Sequence, residues 1–459
     1  MKTIALLVLL SMTLRADTLS VGFGEADITP TLGTNPVYLA GFGENRKATK
    51  VHDPLMARAV VLDDGKQKIA MVSADLVGLF LTSTERVRKR LPDFAYVLVS
   101  STHNHSGPDT LGLWGSHPLA SGLDDDYLKF VEDRIVDAVT NAAKTWTPVT
   151  AEIGKMRDAD LVNDNREPYV KHDELVVLRF NSTKDKSTVG LLVQWNCHPE
   201  LLDSKNTAIT ADHVGYTVKS LHDKHNCPVA YFSGTLGGLM TALGLKVIET
   251  TGKELDDGTF EKAERYGTLV AELADKALAK AEPVTLTPFN IKTQSVLFRV
   301  DNGLYQIAWQ VGKLKRPLYL FEGDPLAVNP VEAKNLEKPV AIRSEIGLLI
   351  LGDLGVPIIP GEIYPELVLS KVQDPADKNA DFPEAAIEPG IYAQVKSKHK
   401  MIIGLGNDEL GYFIPKRQWD LNPPFCYNRK KAQYGEINSI GPDAAAILCE
   451  TFQTLARRP

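Results

Sequence analysis

A run of apolar, mostly β-branched residues, Val97-Leu98-Val99, passes through Ser100-Ser101-Thr102 into His103-Asn104-His105, and Ser106-Gly107-Pro108 then turns the chain. The run predicts a buried strand that breaks directly into two histidines one residue apart. While the backbone stays extended, residues i and i+2 point to one side. Two imidazoles can then share one cavity, one binding a metal and the other handling protons. Taken alone, a His-x-His triplet reads more readily as two loop histidines bonded to nearby backbone. Its place at the end of a strand, and further ligand candidates downstream, favour the site.

The neighbouring pattern sets the fold class. Residues 69–74 form a second apolar run that ends at Asp75, and residues 83–91 between the two runs carry helical spacing. Strand–helix–strand with polar residues at both carboxyl ends is the arrangement of a parallel pair in an α/β sheet. Residues 19–28 and 58–62 read as strands, the latter joined to the 68–74 strand by the turn Asp63-Asp64-Gly65. Further strands are predicted at 176–180, 189–195 and 229–232, with β-like pattern over 284–300 and a short buried run at 347–351. Helices are predicted at 124–144 with Asp124 as cap, at 212–224, at 261–281, and at 442–455 with Pro442 in its first turn. Residues 374–389 read as an exposed loop. The expectation is one large α/β domain, with mixed sheets flanked by helices, over residues 17–459.

The chain has 459 residues, 44% hydrophobic and 24% charged, which is the balance of a soluble globular protein. A formal net charge of −7 and the lack of a long basic run exclude a nucleic-acid footprint. The basic cluster at residues 86–90 reads as a solvated helix face. At the N-terminus, Met1-Lys2 precedes an apolar run and Ala16, the pattern of a signal peptide over residues 1–16, so a secreted or periplasmic location is expected. The run is too short for a mature membrane anchor. Four cysteines (Cys197, Cys227, Cys426, Cys449) allow three pairings or buried free thiols, and no C-x-x-C pair is present.

Three further segments supply ligand candidates. Trp195-Asn196-Cys197-His198-Pro199-Glu200 ends another apolar strand in a histidine, and proline again forces the exit. Glu362 lies in the Pro/Gly-bounded turn Pro360-Gly361-Glu362, and Tyr412 closes Gly404-Leu405-Gly406-Asn407-Asp408-Glu409-Leu410-Gly411-Tyr412. Two imidazole nitrogens with a carboxylate or phenolate oxygen suit Zn²⁺.

The set Gly24-Glu25-Ala26-Asp27-Ile28-Thr29-Pro30, Gly41-Phe42-Gly43, His52-Asp53-Pro54-Leu55, Ser73-Ala74-Asp75 and Thr102-His103-Asn104-His105-Ser106-Gly107-Pro108 resembles the neutral/alkaline (non-lysosomal) ceramidase family. Its histidine motif usually reads T-H-T-H-S-G-P, so Asn104 is a departure. The resemblance covers the catalytic domain and lacks the small C-terminal immunoglobulin-like domain of many members. It implies a zinc amidase that splits ceramide into a sphingoid base and a fatty acid. It further implies His103, His198, Glu362 and Tyr412 as zinc ligands and His105 as the proton-transfer residue. Arg166 and Tyr434 would then face the reacting carbonyl. A lipid or small-molecule substrate and transient contact with a membrane surface follow from the same likeness.

The largest departure is at the family's N-A-G-D-V-S-P-N motif. Its serine falls on Thr241, its Asp becomes Leu239, and its glycine is kept as Gly238. A threonine hydroxyl needs a base and is hindered, so Thr241 is expected either as nucleophile or as a substrate-orienting hydroxyl. Two alternatives stand beside a ceramidase. One is a zinc hydrolase of another amide or ester, sugar or peptide derived; the other is a non-catalytic secreted binding protein on the same fold. A long apolar pocket leading to His105 would favour a lipid, and a shallow polar one a sugar or peptide.

Overall fold

The computed structural model describes residues 19–459, so the signal-peptide reading of residues 1–16 lies outside the described residues. Alternating apolar positions build the antiparallel strands Ser20–Asp27, Met56–Asp63 and Lys68–Ala74, the last two joined through Gly65 at φ +86°. The chain crosses over through the helix Leu81–Lys89 and returns as Tyr96–Ser101, parallel to Lys68–Ala74 as its pattern predicts. The second half of this sheet repeats the device. Strands Thr147–Arg157, Glu174–Ser182 and Thr188–Trp195 run antiparallel, and the helix Asp212–His225 leads into Val229–Ser233, parallel to Thr188–Trp195. With Glu282–Val284 the sheet has nine strands.

A second, five-stranded sheet carries Phe289–Arg299, Tyr319–Leu320, Val340–Leu351, Leu354–Ile358 and His399–Lys400. One buried cluster joins the two sheets, with Met71, Leu98 and Phe232 of the first packed with Leu349, Val356 and Ile358 of the second. Helix Asp125–Ala142 and the pair Asp212–His225 and Phe260–Leu278 cover the outer side of the first sheet; Ala444–Arg457 covers the second. The layers are helix, sheet, sheet, helix: one α/β domain of mixed sheets.

Two closures set up the site. The strands at opposite ends of the large sheet meet, and the Ser233 hydroxyl donates to the Thr102 carbonyl at 2.7 Å. Both parallel pairs therefore present their carboxyl ends to one place. The free edge of Tyr96–Ser101 is also covered, because Asn407 accepts from Val99 N–H through Oδ1 (3.1 Å) and donates its own N–H to Val99 O (2.6 Å). An edge strand left bare would seek another strand; here the loop that carries Tyr412 takes the place.

Several expectations need correction. The cluster at 86–90 is not simply solvated: Arg86 pairs with Glu132 (2.6 Å), Arg88 with Glu345 (2.8 Å) and Arg90 with Asp133 (2.6 Å), pinning the helix to its neighbours. The buried run at 347–351 is the end of a longer strand, Val340–Leu351, whose first half is masked by the polar residues Arg343, Ser344 and Glu345. The cysteines, by contrast, follow the free-thiol alternative, all four being buried and unpaired. Among the described residues no helix is long and apolar enough to cross a membrane.

Candidate metal centre

The strand Tyr96–Ser101 ends before the histidines, and His103 sits at φ +69°, in the left-handed region. The two imidazoles share a cavity not because the backbone stays extended but because this kink is held open by hydrogen bonds. His103 and Asn104 both donate their backbone N–H to Leu76 O at 3.0 Å. The Asn104 amide donates to Thr210 O (2.8 Å) and Asp75 O (3.3 Å), and its Oδ1 accepts Ser106 N–H (2.9 Å). The residue that departs from the family motif is thus the staple of the loop. Asp75 in turn is buried against Arg58, with Nη1 at 2.8 Å from both carboxylate oxygens.

His103 Nδ1 donates to Val77 O at 2.7 Å, and His198 Nδ1 donates to Met240 O at 2.9 Å. Backbone acceptors thereby fix both rings with Nε2 turned inward, the arrangement of histidines that ligate a metal. Both nitrogens converge on Glu362 Oε2, His198 at 2.8 Å and His103 at 3.4 Å. Glu362 and Tyr412 are brought side by side by backbone register, since the short strands Glu362–Ile363 and Tyr412–Phe413 pair in parallel with these residues as partners. His105 lies against the same point: His103, His105 and His198 each offer a ligand nitrogen within 4.8 Å of the others, in a position that could hold a metal ion.

The electrostatics fit a cation. Burial opposes a charge on His198, but the Glu362 hydrogen bond and the carboxylates of Glu200 and Glu362 lift its pKa to about 9. An imidazole whose two nitrogens both face acceptors must carry a proton or bind a cation at Nε2. Burial would raise Glu362, yet His103, His198 and the Tyr412 hydroxyl hold it below the usual carboxylate range. His105 is pushed well down by burial and by His103, His198 and Arg46 around it. Two or three nitrogens, one carboxylate and one phenol, dry and converging, make a donor set suited to zinc.

The remaining predicted residues lie around this centre. The Tyr434 ring packs edge-on to Tyr412 at 5.9 Å, and its hydroxyl accepts from Asn438 Nδ2 at 2.7 Å. Arg166 does not offer an open guanidinium to a carbonyl. It is 3% exposed and gives Nη1 to Glu436 and Tyr434 O (both 2.9 Å), and Nη2 to Glu436 and Gln418 O (both 2.7 Å). It anchors the segment that carries Tyr434. Thr241 is buried, and its hydroxyl donates to Glu200 Oε1 at 2.6 Å while accepting Leu243 N–H at 3.1 Å.

Three groups at the site escaped the sequence reading. Glu200 Oε2 lies 3.4 Å from His105 Nδ1. Glu409 is buried, and burial together with the Glu362 charge pushes its carboxyl well up. Tyr305 packs beside Gly411, its phenol raised by burial and by Glu409 and Glu362. Glu200 and Glu409 stand inside the very segments that hold His198 and Tyr412; an acid two or three residues from a ligand was the available signal.

A cavity of about 380 Å³ adjoins the centre, lined chiefly by Phe42, Trp114, Leu304, Ile307, Leu314 and Ile437. Phe42 meets the His105 ring edge-on at 5.3 Å, and Asn438, which holds Tyr434, lines the same space. Its rim is apolar and open: Leu119 and Leu304 are each 61% exposed and Ile437 is 53% exposed. Neither this cavity nor the roomier one of about 560 Å³ between Phe23, Met56 and Val229 is lined by the three imidazoles, Glu362 or Tyr412.

Fold and site together define a class: a two-sheet α/β protein with a buried histidine–carboxylate–phenol centre at the carboxyl ends of two parallel strand pairs. The profile described as "Neutral/alkaline non-lysosomal ceramidase, N-terminal" matches residues 19–283, and the chain belongs to that family. The neutral ceramidase of Drosophila pseudoobscura pseudoobscura is 28% identical over 256 residues, which is 49% of this chain and 35% of that relative. That of Drosophila melanogaster is 28% identical over 239 residues, 46% of this chain and 33% of the relative. The matched region thus spans about a third of the length of these relatives. Among solved structures, neutral ceramidase from Pseudomonas aeruginosa superposes with a TM-score of 0.70 at 15% identity, covering 96% of this chain and 74% of that one. A ceramidase complexed with C2 gives 0.69 at 16% identity, covering 96% and 75%.

Proposed function

We propose that the protein is a secreted, zinc-dependent amidohydrolase that cleaves the N-acyl bond of ceramide or a ceramide-like lipid, releasing a sphingoid base and a fatty acid. The observation that carries this reading is the buried cluster of three imidazoles, with a largely apolar cavity on the other side of Phe42, whose ring meets His105. The cavity's volume is in the range of small-ligand pockets, roughly 300–1,000 Å³, and its lining is mainly apolar, with Glu44, Lys313 and Asn438 among its polar members. The open apolar rim suits transient contact with the membrane from which such a substrate is drawn. Family membership supports the same substrate class.

His103, His198, Glu362 and Tyr412 would hold the ion. Zinc bound there supplies Lewis acidity, polarising an acyl carbonyl and bringing the pKa of water down to roughly 7. The chain's own groups do the rest. Phe42 and the cavity walls exclude water and seat the acyl chain. The Tyr434 hydroxyl, held by Asn438, donates to the oxygen on which negative charge develops. His105, beside the candidate ligands and in edge-on contact with Phe42 of the cavity wall, accepts a proton from the attacking water and passes it to the leaving amine. Arg166 keeps the Tyr434 segment in place through Glu436.

Purified zinc-loaded protein assayed on N-acyl sphingosines of increasing acyl length tests the reading. Hydrolysis should rise with chain length and fall by about 10³-fold or more in His103→Ala and His198→Ala, since a lost ligand removes the electrostatic contribution. Hydrolysis of short, polar N-acyl sugars or peptides in preference to lipids would replace ceramide with the second reading, a zinc hydrolase of another amide or ester, which Leu239 and Thr241 at the altered motif favour.

A further inference from the structure

We infer that Glu200 is the positioning residue for His105 and that Thr241, at the place of the family's serine, holds Glu200 rather than attacking the substrate. The inference rests on His105 as the proton-transfer residue. Glu200 is 4% exposed, and each of its two oxygens has one neighbour that matters. Oε1 accepts the Thr241 hydroxyl at 2.6 Å, and Oε2 lies 3.4 Å from His105 Nδ1. His105 Nδ1 is buried and makes no hydrogen bond among the described residues, so the Glu200 carboxylate faces it at ion-pair distance. The segments are also tied through the backbone, because His105 N–H donates to Pro199 O at 3.0 Å. A carboxylate facing Nδ1 selects the tautomer protonated there and leaves Nε2 as the bare nitrogen. Orientation by a buried carboxylate is the relation of Asp to His in hydrolytic triads.

Thr241 is fully buried and lines neither the apolar cavity nor its rim, so its hydroxyl is turned to Glu200 rather than to a substrate. Its proton goes to Glu200, and one lone pair takes Leu243 N–H. The preceding residue does similar work, since Met240 O accepts both the backbone N–H and Nδ1–H of His198 at 2.9 Å. The segment Leu239-Met240-Thr241 therefore grips His198 with one residue and Glu200 with the next. Leu239 at φ +63° and Gly238 at φ +76° bend the chain to allow it. In this chain the altered motif is a cradle for two side chains of the centre.

Zinc-loaded wild type is compared with Glu200→Gln, Thr241→Ser, Thr241→Val and the double variant Glu200→Gln/Thr241→Val, by steady-state kinetics, zinc content and ¹⁵N-histidine NMR. The expected result for Glu200→Gln and for Thr241→Val is unchanged zinc and KM with kcat lowered about 10²-fold or more. The double variant should lose no more than either single, because both act on one contact. Thr241→Ser, which keeps the hydroxyl, should stay within a few-fold of wild type. The His105 Nδ1–H resonance should be present in wild type and in Thr241→Ser and lost in Glu200→Gln. An acyl adduct on Thr241 in quenched intact-mass spectra, or a Glu200→Gln enzyme with unaltered kcat and His105 resonance, would overturn the inference. If the NMR pattern holds while no N-acyl lipid is cleaved, the amidase reading fails and the Glu200–His105 contact stands.

Discussion

Arg166 and Glu436 form an ion pair in which the two side chains are 3% and 1% exposed, so neither can lose its partner cheaply. Arg166→Met should destabilise the fold by about 3–5 kcal/mol, because a buried carboxylate is left uncompensated. Arg166→Met/Glu436→Leu should recover most of that loss. Urea denaturation of both variants measures it. Activity should fall in both, since Tyr434 loses its anchor. Charge at position 166 was legible in the sequence, but its destination was not. The partner lies 270 residues away, and a guanidinium that faces a substrate reads the same as one that faces a glutamate. His103, His198, Glu362 and Tyr412 were legible individually, through strand ends and Pro/Gly exits, and the geometry brings them together. Glu200 was not, because its meaning depends on Thr241 and His105, which only the closed sheet brings beside it.

The elements around the site explain why it tolerates little change in shape. Gly41 lies at φ +80°, and a β-carbon there would stand 2.6 Å from the His105 ring. Gly41→Ala should cost about 1–2 kcal/mol from the left-handed backbone alone. It should also lower kcat by about 10²-fold by displacing the ring, with zinc content unchanged. A variant of normal kcat would show that the imidazole is not confined there. Elements with long period were predictable: the parallel pair Lys68–Ala74 and Tyr96–Ser101, and the helix Asp125–Ala142 with the Asp124 carboxylate accepting Asp126 and Tyr127 N–H. The two-residue strands Glu362–Ile363 and Tyr412–Phe413 were not, because two residues carry no periodicity. Yet they decide the register of two candidate ligands. The first half of Val340–Leu351 was hidden for another reason. Arg343 and Glu345 face partners on the segment that includes the helix Leu81–Lys89, namely Glu85 and Arg88, so a polar stretch is buried by pairing rather than by apolarity.

Across the whole molecule, buried acids outside the candidate ligand set give the protein a pH signature. Asp164 is raised to about 7 and Glu366 to about 8, chiefly by burial, with the Asp164 carboxylate also raising Glu366. Both bind protons more tightly folded than unfolded, so their contribution to stability is fully present below about pH 4 and is lost as pH climbs through about 7 and then about 8. Glu366→Gln, which cannot ionise, should therefore flatten the decline in stability between pH 5.5 and pH 8.5, as read by urea midpoints at fixed zinc. A steeper decline would contradict the assignment. The large-scale shape follows from the same sheet that makes the site. Two parallel pairs at opposite ends of one strand order meet through Ser233 and Thr102, and histidines that are 95 residues apart in the chain come to ring centroids 5.0 Å apart.

The proposed function requires a single ion at that meeting point. Metal analysis of protein purified without chelators should find about one zinc per chain in wild type and almost none in His103→Ala and His198→Ala, with Glu200→Gln retaining it. Wild-type protein that takes up no stoichiometric zinc, or ligand variants that hold it as well as wild type, would contradict the account.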